Sequence, residues 1–199
     1  MHHNIVRVPG PLGKYTEKPT RGITGLVYRS IQGTTRLVGG GIDALLGQLL
    51  PLLEREPAAS SAGREAVVAA LNGVLGDHLA ASANPLAIPM QLRQNGQPLA
   101  LTAQDIAADV PAPSGKILLL VHGLCMNDLQ WRRNGHDHGA ALAAAGGYTP
   151  LYLHYNSGRH VSTNGLRLAD LLEALQAAWP VPLEELTIVG HSMGGLVAR

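Results

Sequence analysis

Phenylalanine is absent from the 199 residues, and aromatic side chains make up only 4% of them. An interior must therefore be filled by Leu, Ile, Val and Ala, which the 46% apolar composition supplies in full. A single cysteine, Cys125, excludes an internal disulfide framework and fits a reducing compartment. Charge is sparse at 15% of residues and balanced at net +1 with no basic tract, so nothing points to nucleic acid as a partner. The N-terminus, Met1 to Arg7, lacks the apolar centre of a signal peptide. The most apolar stretch, Leu37 to Leu53, is broken by Gly39-Gly40-Gly41, Asp43, Gln48 and Pro51 and falls short of a membrane span. These absences predict a soluble, cytoplasmic protein.

What is present divides at about residue 84. Residues 1–20 carry Pro9, Gly10, Pro11, Gly13 and Pro19 and read as an extended arm. Apolar residues from Ile23 to Leu53 recur at helical spacing, and Pro57 closes that segment. A second helix is expected from Ser61, with Val67, Val68, Leu71, Val74, Leu75, His78 and Leu79 forming one stripe. The arm and helices, residues 1–84, are expected to pack as an extension on the remainder. Their crowded leucines, Leu45 to Leu53, allow peripheral membrane contact as a sharper alternative.

Residues 85–199 read as an α/β unit. Asn95-Gly96 between alternating runs signals a tight hairpin, and Pro98 places that hairpin at a sheet edge. Thr102 to Pro113 reads as a connection that allows one short helical turn. Lys116 to Val121 is a continuous apolar run, the mark of a central parallel strand. Further strands are expected at Tyr148 to Leu153 and Leu186 to Val189, with a helix between them over Leu166 to Trp179.

The last residues carry the chemistry. Gly190-His191-Ser192-Met193-Gly194 lies between an apolar strand and a helix start, and strand, Gly-x-Ser-x-Gly, helix is the pattern of a nucleophile elbow. A serine raised on so sharp a turn needs small neighbours, and a Cβ at Gly190 or Gly194 is expected to collide with backbone. Ser192 is thus the candidate nucleophile. Upstream, His122-Gly123-Leu124 follows the central strand directly. If the two strands are parallel neighbours, the N–H groups of Leu124 and Met193 can form an oxyanion hole, with His122 and His191 as supporting residues beside Gly123. Asn156, Arg159 and His160, in the loop after the Tyr148 strand, either line a substrate mouth or hold the loop. Cys125 is expected to be a buried, inert thiol. His136-Asp137-His138 is too small a set for a metal, and Asp137 reads better as a helix cap.

Val-His-Gly followed by Gly-His-Ser-Met-Gly-Gly resembles the α/β-hydrolase superfamily, particularly its lipases and esterases. Tyr152 to Gly165 is also similar to a stretch in bacterial relatives of the GPI inositol-deacylase-like hydrolases. The resemblance covers residues 85–199 and implies the N-terminal part of an α/β-hydrolase fold. It also implies an acyl-enzyme on Ser192, a small-molecule or lipid ester as substrate, and no cofactor or metal. In that superfamily an acid and then a histidine follow the nucleophile. Only seven residues follow Ser192, none of them an acid or a histidine. The triad is therefore expected to be completed beyond Arg199, with the elbow strand left as an open edge and the fragment inactive. The alternative is a non-catalytic lipid- or protein-binding module on a degenerate hydrolase fold.

Overall fold

The computed structural model describes residues 61–199. The helices expected between Ile23 and Leu53 lie outside them. Helix α1 (Ser61–Ala81) comes first, followed by strands β1 (Gln91–Gln94) and β2 (Gln97–Pro98) and helix α2 (Ala103–Asp109). Strand β3 (Lys116–Val121), a 3-10 turn at Asp128–Trp131, strands β4 (Arg132–Arg133) and β5 (His136–Asp137) and helix α3 (His138–Gly146) come next. Strand β6 (Thr149–His154), helix α4 (Val161–Ala178), strand β7 (Glu185–Gly190) and helix α5 (Met193–Val197) complete the described chain.

The protein is α/β, with a five-stranded sheet in the order β2-β1-β6-β3-β7. β6, β3 and β7 are parallel, while β1 pairs antiparallel with both β6 and β2. The edge hairpin is as expected: Asn95 and Gly96 both take positive φ, and Pro98 sits in the outer strand, where its missing N–H costs no ladder bond.

Period-two alternation in β3 and β6 builds two cores. Ile117, Leu119, Val121, Leu151 and Leu153 pack with Ile106 of α2, Leu168 and Leu175 of α4 and Val197 of α5. Leu118, Leu120 and Tyr152 face the other way and meet Ala143 of α3 and Trp131. The sheet is thus covered on both faces at its centre. β7 is the outer strand of its side, and most of its residues are only half-buried. Among the described residues, no helix is long and apolar enough to cross a membrane.

The connection after Leu101 contains α2, capped by Thr102, whose Oγ1 accepts from the Asp105 N–H at 3.1 Å. The loop after β6 ends earlier than its polar composition suggests, because His160 caps a helix that already starts at Val161. The stripe on α1 packs through Val67, Leu71 and Leu79, with Val68 and Leu75 partly buried against them, and departs from the expectation only at Val74, which is 45% exposed; Asn72 and Gly76 are also buried.

Candidate functional site

β3 and β7 are adjacent and parallel, with Val121 paired to Gly190. Both strands therefore release their loops at one end of the sheet. His191 N–H donates to Val121 O at 2.9 Å, carrying the pairing one residue past the strand. Ser192 then takes φ 53° and ψ −122° and leads directly into α5. This backbone region suits glycine, and a side-chain-bearing residue there costs about 1–3 kcal/mol.

The flanking glycines are set by contact. A Cβ on Gly190 would lie 2.6 Å from Gly195 N, and one on Gly194 would lie 2.6 Å from His122 O. One on Gly123 would meet Ser192 Cβ at 3.1 Å, so the loop after β3 touches the elbow. Ser192 and His191 are exposed. The ring of Trp131 meets His191 edge-on with centroids 6.4 Å apart. The structure thus brings Ser192, Met193, His191, Gly123 and Leu124 to one end of the sheet. Neither the Leu124 nor the Met193 N–H donates to a protein acceptor among the described residues. No described histidine or acid hydrogen-bonds Ser192 either. The strained serine implies a test by relaxation. Ser192→Gly is expected to raise the stability of the fold by about 1 kcal/mol, the relief of strain less the entropy glycine adds to the unfolded chain. A lower urea midpoint for this variant would show that Ser192 is not strained.

His122 lies beneath this surface. It is fully buried, its ring stacks on Tyr155 at 4.4 Å, and its Nδ1 lies 2.9 Å from Gly123 O. A carbonyl oxygen only accepts, so the ring proton sits on Nδ1. Nε2 has no partner. Burial is the main cause that lowers the His122 pKa from 6.5 to about 4, against the opposing bond to Gly123. His122 is therefore neutral near pH 7 and holds the loop. Because its folded pKa lies below its unfolded one, acidification from 6.5 towards 4 favours the unfolded chain, which binds the proton first. The expected loss of stability across that window is at most about 3 kcal/mol. His122→Gln should flatten this part of the pH profile in urea titrations.

The neighbouring polar residues form a network. Arg93 donates through one nitrogen to Glu65 of α1 at 2.7 Å and to Asp128 at 3.2 Å. Asp128 in turn accepts from His154 Nδ1 at 2.8 Å. Burial alone would raise the Asp128 carboxyl, but the His154 bond and the charges of His154 and Arg93 outweigh it and hold the pKa below the ordinary value. Ligand atoms of Glu65, Asp128 and His154 lie within 4.8 Å of one another. The Arg93 guanidinium already bonds both acids there, which disfavours a metal ion. A cavity of about 150 Å³ beside the network is lined by Arg64, Glu65, Val68, Leu86, Arg93 and His154, and Ser192 is not in its wall.

Asn156 is not free to line a mouth. It is 2% exposed, donates to Gly76 O at 2.9 Å and accepts from the Gly158 N–H at 3.1 Å. His160 is exposed and caps α4, its Nδ1 accepting from the Ser162 hydroxyl at 2.8 Å. Arg159 is half-buried, and its backbone closes the turn on Asn156 O. Cys125 is half-buried with its thiol pKa raised by burial, the opposite of nucleophile activation. Asp137 caps α3 as expected, accepting from the Ala140 N–H, and also binds Tyr152 and Arg132. Ser157 was missed by sequence reasoning: it is buried, and its Oγ accepts from the Cys125 N–H at 3.0 Å.

Comparison with known protein families, curated proteins and solved structures found no match for this chain.

Proposed function

We propose that this protein is a serine hydrolase of the α/β-hydrolase type acting on carboxylic esters, with Ser192 as the nucleophile. The observation that carries this reading is the conformation of Ser192. A serine with φ 53° stands exposed between a strand and a helix, and backbone contacts leave no room for a Cβ at Gly190 or Gly194. A strained, exposed residue is retained where its geometry has a use. Here the turn leaves Ser192 exposed, beside a loop whose Leu124 N–H has no acceptor among the described residues.

In the reaction, Ser192 Oγ bonds to the acyl carbon as its proton passes to a base. The carbonyl oxygen becomes an oxyanion that accepts from the Leu124 and Met193 N–H groups. The tetrahedral intermediate expels the alcohol, which takes up that proton, and water then releases the acid from Ser192. Loss of one oxyanion donor typically costs about 100- to 1000-fold in rate. The base and its orienting acid come from outside residues 61–199 on this reading, since no described histidine or acid hydrogen-bonds Ser192. That same observation favours the second reading, a degenerate hydrolase that binds a lipid or a protein without turnover. Hydrolysis of p-nitrophenyl esters by the full-length natural protein, lost in Ser192→Ala, supports the enzyme. Tight ester binding without turnover supports the second reading.

A further inference from the structure

The turn after β3 is held from behind by a helix that belongs to the N-terminal extension. Gly123 to Met126 forms a turn closed by Met126 N–H to Gly123 O at 3.3 Å, and Cys125 has φ 59° within it. A positive φ at the third position of such a turn is ordinarily left to glycine or asparagine. Three contacts hold cysteine there. Its N–H donates to Ser157 Oγ at 3.0 Å, its thiol approaches Ala70 O at 3.9 Å, and its backbone rests on Gly73 of α1. The last contact is close enough to be decisive: a Cβ on Gly73 would lie 2.8 Å from both Cys125 Cα and Cys125 N. The loop after β6 uses the same helix face, because Asn156 donates to Gly76 O at 2.9 Å. Ser157 then joins the two loops. The turn that presents Leu124 is thus clamped between α1 and the Asn156–Gly158 loop.

We propose that α1 is part of the catalytic apparatus, with Gly73 as a positioning residue that holds the Leu124 N–H on the oxyanion through Cys125. This rests on the reading of Ser192 as a nucleophile. Removing the seat displaces the turn by a fraction of an ångström to about 1 Å, and a misplacement of that size away from the reacting atoms can cost about 100-fold.

The test compares Gly73→Ala with Gly63→Ala, on the same helix but with nothing within 4 Å of the added Cβ. In the full-length protein, Gly73→Ala is expected to lower kcat for p-nitrophenyl butyrate by about 10- to 100-fold with little change in KM. Its affinity for a trifluoromethyl ketone, which places an oxyanion on the serine adduct, should fall by a similar factor. Gly63→Ala should match wild type in all three. If Gly73→Ala does not fold, Ser157→Ala removes the acceptor of the Cys125 N–H more gently and is expected to lower kcat and ketone affinity together by about 3- to 10-fold. Folded variants with wild-type kcat and ketone affinity would overturn the inference alone. Wild-type protein inert to both ester and ketone would overturn the Ser192 reading and this inference with it.

Discussion

Gly194→Ala is expected to lose about 3 kcal/mol of stability, while Gly195→Ala, one residue along, is expected to gain several tenths to about 1 kcal/mol. The new methyl at Gly194 points into the carbonyls of Val121 and His122, and backbone at the end of a central strand cannot step aside. Relief would require α5 to move away from β3 and drag Ser192 with it. At Gly195 the nearest atom to an added Cβ is Gly190 O at 4.0 Å, so alanine there only improves a helix. Urea unfolding of both variants measures the contrast. Equal midpoints would mean that α5 does not sit against the β3 carbonyls.

The second large effect is expected at Arg93. Its side chain is 10% exposed and the Asp128 side chain only 2%, with Glu65 at 24%. Arg93→Ala leaves a buried carboxylate facing a second one without a cation between them, and breaking a buried pair in this way costs about 3–5 kcal/mol. Asp128→Asn in the Arg93→Ala background should recover part of the loss by removing the stranded charge. Because the folded pKa of Asp128 is held below its ordinary value, its contribution is present above the ordinary aspartate range. It disappears as the pH falls through the lower folded value. Arg93→Ala should therefore also weaken the acid limb of the wild-type stability profile. Additive losses in the double variant would argue against coupling between the two residues.

How much of this was legible in the sequence depended on the range of the interaction. Asn95-Gly96 announced its hairpin, and the apolar run at Lys116 to Val121 announced a central strand, because turn chemistry and strand burial are local. The same Asn-Gly signal at Asn134-Gly135 closes the β4–β5 hairpin and takes the same positive φ values, yet the flanking histidines drew attention to metal chemistry instead. Thr102-x-x-Asp105 is a local helix-start pattern, and the helical turn allowed after it extends to Asp109.

The site divides in the same way. Gly190, Ser192 and Gly194 are close in sequence and readable. The partners of Arg93 lie 28 and 35 residues away, and Asn156 reaches Gly76 across 80. No spacing rule finds such pairs. The contacts of Gly73 and Gly76 cross the boundary expected near residue 84, so the helix read as an appendage packs against both site loops. A glycine whose missing Cβ makes room for another loop looks, in sequence, like any other glycine.

The central claim is that Ser192 is a nucleophile, and a fluorophosphonate tests it most directly. The full-length natural protein is incubated with the reagent, and its intact mass and peptides are then measured. The account predicts one phosphonyl adduct per chain, located on Ser192 and absent from Ser192→Ala. Folded protein that gains no adduct, or carries it on another residue, would contradict the account.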